Sequence, residues 1–219
     1  MTAFNCLLNK NFAIISMDTL ASDSISKKPL KFVSKIHSIP HINCIICGTG
    51  SLNAIYSWIT WVNQHNIMSI NDLNHLAEND MPNILYRYKD KTTIYMFGFD
   101  EKSNELLGFA YRSEKHYKSE KMKYSFCYKP TEMYSTNSES IMTELENNIK
   151  NNTIEEFLFN LMKKQKEYDD KLPTNKKVGI GGICQILILQ HDGFNLINYK
   201  KFNDYNKIKD ILVKNNEIL

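Results

Sequence analysis

The chain has 219 residues, of which 42% are hydrophobic and 23% are charged, and its formal net charge is +3. This is the composition of an ordinary globular protein that is long enough to bury a substantial core. The lysines are scattered among acidic residues and form no basic face, which argues against a nucleic-acid partner.

Neither a membrane span nor a secretory signal is recognisable in the sequence. No apolar run approaches the ~18 residues that a spanning helix requires. We therefore expect a cytoplasmic protein without a membrane partner, with one domain over residues 1–219.

Five cysteines are present, mostly in apolar runs, which is typical of buried free thiols in a reducing compartment. Cys44 and Cys47 have the spacing of one half of a zinc site. No second pair accompanies them, so we expect no metal site and no cofactor.

The N-terminal residues read as a β-hairpin. An apolar run begins at Thr2, turns at residues 9–11 and returns over residues 12–17 to end at Asp18. The segments that follow are a polar turn at residues 21–31 and two short strands at residues 32–39 and 43–47.

Two helices come next. Residues 48–51 introduce a helix whose apolar positions from 52 to 62 follow the 3.6-residue period. A second helix is predicted over residues 70–88, with Ser69 as N-cap. Pro82 is expected to interrupt or kink it.

The second half alternates between strands and helices in the same way. The predicted elements are strands at 92–100, 105–113 and 121–128, helical segments between about 131 and 170, a hairpin at 182–202 and a helix at 203–216.

Several strands are apolar throughout, which favours a layered fold. Residues 44–47 (CIIC) and 184–189 (CQILIL) contain hardly a polar side chain. Strands that are buried on both faces need a sheet on one side and helices on the other. The sequence therefore predicts an α+β fold, a four-layer α/β/β/α sandwich with two antiparallel sheets.

Thr2 is the candidate nucleophile. If Met1 is removed, one residue carries both a hydroxyl and a free α-amine, whose reference pKa of about 7.7–8.0 suits a general base near neutral pH. Threonine paired with its own terminal amine is a known nucleophile–base combination. No Gly-x-Ser-x-Gly, His-Glu-x-x-His or P-loop pattern offers an alternative.

The residues after Thr2 carry a resemblance. Asp18 ends the second strand in SMDTLAS, Lys35 stands in SKIHSI, and Gly48 and Gly50 stand in CGTGS. In this order the sequence resembles the N-terminal-nucleophile (Ntn) hydrolases, specifically proteasome β-subunits and the peptidase subunit of the bacterial two-component ATP-dependent protease. The resemblance spans most of the chain and implies the Ntn-hydrolase fold.

The resemblance also implies a site. It makes Thr2 the nucleophile, Lys35 the group that lowers the pKa of the amine, Asp18 the partner that orients Lys35, and Gly48 the oxyanion donor. It assigns substrate binding to a further set of residues, namely Ala21, Ser22, Ile46 and Gly50. Ala21 and Ile46 would line the first specificity pocket and favour apolar side chains.

The expected function is a threonine endopeptidase that acts on peptides or unfolded proteins. The resemblance implies a homo-oligomeric ring and allows an ATPase partner. Lys31 remains an alternative to Lys35.

Two other functions remain open, an inactive protein with an assembly or binding role and an amidase for small amides. The inactive role is favoured by Lys176 and Gly179, which stand where the family has Asp and Ser.

Overall fold

The computed structural model describes residues 2–129 and 153–216. The strands are β1 Phe4–Leu8, β2 Ala13–Asp18, β3 Leu20–Ser22, β4 Pro29–Phe32, β5 Ile36–Ile39, β6 Cys44–Thr49, β7 Thr93–Phe99, β8 Leu106–Arg112, β9 Ser119–Lys121, β10 Phe126–Lys129, β11 Ile183–Gln190 and β12 Gly193–Lys201. The helices are α1 Leu52–Val62, α2 Ile70–Leu85, α3 Ile154–Lys171 and α4 Tyr205–Asn216.

Ten of these strands form two five-stranded sheets. The first has the order β10-β1-β2-β11-β12 and the second has the order β5-β6-β7-β8-β9. All pairs in both sheets are antiparallel. Strands β3 and β4 form a separate antiparallel pair.

Three hydrophobic clusters separate four layers. Helices α1 and α2 pack on one face of the second sheet, around Trp58 and Met96. The two sheets pack face to face around residues such as Ile15 and Phe97. Helix α3 covers the outer face of the first sheet, where Leu158 meets Ile186. The structure thus confirms the predicted α+β fold, a four-layer α/β/β/α sandwich with two antiparallel sheets.

One local prediction was wrong. Residues 21–31 were expected to form a turn, but they contain part of β3 and of β4. Helix α2 is not interrupted at Pro82, since it continues to Leu85. The carbonyl that loses its hydrogen bond to a proline nitrogen belongs to the residue four positions earlier, the exposed Glu78, where water can replace the donor.

The helical prediction between residues 131 and 170 is covered in part by α3. Residues 130–152 lie outside the described residues.

Candidate active site

Strands β1 and β2 bring the beginning of the chain to Asp18. The two strands are antiparallel, and their register pairs Phe4 with Met17. One step further along, the backbone N–H of Ala3 donates to Asp18 Oδ1 at 3.0 Å. Thr2 is therefore held beside the carboxylate, and it is only 6% exposed.

Lys35 forms a buried ion pair with Asp18. Its Nζ lies 3.1 Å from both carboxylate oxygens and 2.7 Å from the carbonyl oxygen of Leu20. The two side chains are 4% and 0% exposed. Burial lowers the pKa of Lys35 below its ordinary value, and the charge and hydrogen bonds of Asp18 oppose that shift.

Backbone amides complete the surroundings of Asp18. Besides the N–H of Ala3, the N–H groups of Leu20 and Gly181 donate to its Oδ2, each at 3.2 Å. A buried carboxylate loses its hydration, and these three donors and Lys35 replace it. Asp18 thereby joins β1, β2, the loop before β5 and the loop before β11.

A cavity of about 560 Å³ opens over Thr2. Six predicted site residues line it: Thr2, Ala21, Ser22, Lys35, Gly48 and Gly50. Asp18 lies behind Lys35 and contributes no lining surface. Lys31, the alternative to Lys35, also lines the cavity, but it is exposed and the structure pairs Lys35 with Asp18 instead.

The structure does not bring Ile46 to the cavity. Ile46 is 1% exposed and belongs to the cluster under α1 and α2. Side chains alternate along β6. Those of Cys44 and Ile46 point to the helical layer, whereas that of Cys47 points between the sheets. The predicted role of Ile46 in a specificity pocket therefore has no geometric basis.

Gly48 stands where β6 has lost one of its neighbours. It pairs with Ile94 of β7, but the pairing with β5 ends one residue earlier, at Cys47. A Cβ at position 48 would lie 2.8 Å from Cδ1 of Ile55, so a larger residue would require the Ile55 side chain to move. The glycine leaves this backbone accessible from the cavity.

The turn from β6 into α1 depends on Gly50. Its φ is +105°, and a Cβ there would overlap the Lys91 carbonyl oxygen. The following residue, Ser51, caps the helix, because its hydroxyl accepts the N–H of Ala54 at 3.4 Å.

Ala21 and Ser22 lie on β3 and line the same cavity as Gly48. Within the described part of the chain, β3 pairs with β4 and not with either large sheet. The hydroxyl oxygen of Ser22 is buried and bonded to no described group. A buried hydroxyl without a partner is costly.

Asp169 was not predicted from the sequence. Its carboxylate, 1% exposed at the end of α3, accepts N–H donors from Val178 at 2.5 Å, Gly179 at 2.8 Å and Ile180 at 3.4 Å. The next amide, that of Gly181, donates to Asp18.

A sequence signal for Asp169 exists. Leu161, Gln165 and Asp169 follow one another at four-residue intervals on the buried face of α3. A polar residue on such a face must find a partner inside the protein.

The remaining observations concern metals and membranes. In residues 2–129 and 153–216, no group of three or more His, Cys, Asp or Glu side chains could hold a metal ion. Within the same residues, no helix is long and apolar enough to cross a membrane.

The fold is similar to that of solved Anbu structures. A Gly-1 mutant of Anbu from Hyphomicrobium sp. strain MC1 has a TM-score of 0.64 and 10% identity, and the match covers 100% of this chain and 94% of that one. Anbu (ancestral beta-subunit) from Yersinia bercovieri has a TM-score of 0.62 and 9% identity, with 98% and 94% covered. No protein-family model matches the chain, and no curated protein matches it in sequence.

These structures correct the resemblance stated from the sequence. That resemblance named proteasome β-subunits and a bacterial ATP-dependent protease subunit, whereas the similar structures are Anbu proteins. The named comparison was therefore wrong. At this level of identity the similarity shows the fold, which is Ntn-like, and no more.

Proposed function

We propose that the protein is a threonine endopeptidase and that the cavity over Thr2 is its active site. The observation that carries this proposal is the convergence of Thr2, Lys35 and Gly48 on one cavity, with the buried Asp18 carboxylate behind Lys35. The proposal requires that the peptide bond before Thr2 be cleaved, so that its α-amine is free.

In the proposed reaction, the Thr2 hydroxyl oxygen attacks the carbonyl carbon of the scissile peptide bond. The hydroxyl proton passes to the α-amine of Thr2 and then to the nitrogen of the leaving peptide. Water, deprotonated by the same amine, hydrolyses the resulting ester and restores the hydroxyl. The Gly48 N–H is assigned to the oxyanion of each tetrahedral intermediate.

Lys35 and Asp18 contribute through charge. The three acceptors around Lys35 Nζ equal the number of protons on an ammonium group, so its hydrogen bonds hold it in place. Its positive charge favours the neutral form of the nearby amine and so lowers the pKa of that base. Asp18 keeps Lys35 oriented while bonded to the amide of Ala3, the residue after the nucleophile.

Substrates are proposed to be peptides or unfolded segments, bound as an added strand along Ala21, Ser22 and Gly50. The short β3 and the buried hydroxyl of Ser22 support this arrangement. The proposal includes a homo-oligomeric ring that encloses the cavity and an ATPase partner that supplies unfolded chains. Such an enclosure would keep folded proteins away from the active site.

An inactive protein with an assembly role is the second candidate. It is favoured by Lys176 and Gly179, which stand where the family named in the sequence comparison has Asp and Ser. The carboxylate that accepts hydrogen bonds from the backbone of Val178 and Gly179 comes instead from Asp169, on α3.

The test combines the mass of the N-terminus with peptide hydrolysis. We expect a mature chain that begins at Thr2, hydrolysis of blocked peptides, and covalent labelling of the Thr2 hydroxyl by an electrophilic inhibitor. Thr2→Ala should abolish both hydrolysis and labelling, while Thr60→Ala, which removes an exposed threonine hydroxyl on α1, should change neither. Hydrolysis that survives Thr2→Ala would disprove the mechanism, and a blocked Thr2 would favour the assembly role.

A further inference from the structure

The cavity over Thr2 has a charged rim. Four lysines and two aspartates line it, namely Lys27, Lys31, Lys35, Lys91, Asp23 and Asp90. Their contacts differ, and the contacts decide which charge a ligand would meet.

Three of the lysines are engaged with neighbours. Lys35 is bound to Asp18. Lys91 forms an ion pair with Glu114 at 2.5 Å, and Lys27 Nζ donates to the carbonyl oxygen of Ser24 at 2.7 Å. The charges of Lys35 and Lys91 are therefore balanced by carboxylates, and the Lys27 ammonium is held by a backbone carbonyl.

Lys31 is different. It is exposed, and no described residue forms an ion pair or hydrogen bond with its ammonium group. In the register of β3 and β4 it lies directly opposite Ala21. Directly opposed residues of an antiparallel pair project from the same face, so Lys31 extends beside Ala21, whose methyl group leaves space in front of it.

The nearest acidic group on this wall is also engaged. The Asp23 carboxylate accepts hydrogen bonds from Ser26 N at 2.7 Å, Ser26 Oγ at 2.9 Å and Ile25 N at 3.1 Å. These bonds, first those of Ser26, lower the pKa of Asp23. The carboxylate closes its own turn, while Asp90 lies next to Lys91 in the segment after α2.

We propose that Lys31 selects substrates with an acidic side chain at the residue that supplies the cleaved carbonyl. This inference rests on the proposed function, which lays the substrate strand along Ala21, and it adds that the residue supplying the cleaved carbonyl contacts Ala21. It replaces the apolar preference expected from Ala21 and Ile46, since Ile46 does not reach the cavity and Lys31 does.

The physical basis is an ion pair at a partly shielded site. A carboxylate in the cavity would meet the Lys31 ammonium without displacing another partner, which avoids the usual cost of breaking an existing pair. Because Lys31 is exposed, salt should weaken the preference.

The test uses blocked peptides that differ only at the residue before the scissile bond, with Glu, Gln or Lys there. Binding is measured on Thr2→Ala protein and cleavage on protein with Thr2 intact. We expect the Glu peptide to exceed the Gln peptide by roughly threefold at low salt in both measurements, the effect of an exposed ion pair. Lys31→Gln should remove this preference and Lys31→Glu should shift it to the Lys peptide. Lys102→Glu, on the exposed turn between β7 and β8, controls for net charge.

The outcomes separate the two proposals. Equal binding of the Glu and Gln peptides, including no binding of either, overturns the inference, and so does a preference that survives Lys31→Gln. Binding that prefers Glu without any cleavage supports the role of Lys31 and contradicts the proposed peptidase activity. Cleavage without a preference for Glu supports the peptidase and contradicts the role of Lys31.

Discussion

Asp18 shows how one side chain can organise the region around a candidate nucleophile. It is completely buried, and yet it binds Lys35 and three backbone amides from separate segments. Such a group is tolerable only when all its partners are present, because an unpaired buried charge is strongly destabilising. The geometry around Thr2 therefore depends on this ion pair and on the segments whose amides bind Asp18.

The first prediction concerns the lysine of this pair. Lys35→Met should lower the free energy of unfolding by about 3 kcal/mol, because Asp18 would keep its amide donors but lose its countercharge. Lys31→Met removes an exposed lysine from the same cavity and should change it by less than about 0.5 kcal/mol. Denaturant unfolding of both variants gives the comparison. Equal effects would contradict the special position of Lys35.

At this scale the sequence identified residues through their order and spacing. The sequence singles out Thr2, Asp18, Lys35 and Gly48, and the structure brings all four together. Ile46 was assigned to the cavity although the alternation along its strand turns it toward the helices. Asp169 was missed because its partners, Val178 to Ile180, are backbone groups, which have no residue-type signature in a sequence.

Among the elements, the long strands and helices were predictable and the short pair was not. Strands such as β2 are mainly apolar and are bounded by turns. Strands β3 and β4 have only three and four residues, too few for a periodic pattern to show. They are held instead by tertiary contacts, such as the stacking of Phe32 on Tyr205 of α4. A local pattern cannot reveal a contact of this kind.

The second prediction belongs to the turn between β6 and α1. Gly50→Ala should destabilise the protein by more than about 2 kcal/mol, because it combines a strained φ with overlap on the Lys91 carbonyl. Gly193 also has a positive φ, +137°, but a Cβ there would meet nothing within 4 Å.

Gly193→Ala is therefore the matched control. It should cost only about 1 kcal/mol, the strain of the backbone alone. Thermal or denaturant unfolding measures the difference between the two variants. If both cost the same, the contact with Lys91 is not what requires glycine in this turn.

At the scale of the whole molecule, the fold prediction depended on strands that are buried on both faces. β2 and β6 are buried at every position, and each lies between another sheet and a helical layer. The sequence contained this information in its continuous apolar runs. It did not contain the link between the outer helical layer and the candidate site, which is made by Asp169 and the segment from Val178 to Gly181.

The third prediction tests that link with two neighbouring residues. Asp169→Asn should reduce the free energy of unfolding by about 2 kcal/mol, because an amide has one acceptor oxygen for N–H groups that now share two. Asp170→Asn changes a residue whose side chain is 56% exposed and pairs with Lys166, so it should cost less than about 1 kcal/mol.

Hydrogen exchange should accelerate at Gly179 and Ile180 in the Asp169→Asn variant only. Because Gly181 follows directly and donates to Asp18, that loosening should extend to the Gly181 amide. Equal stability and exchange in the two variants would mean that Asp169 does not connect α3 to the site.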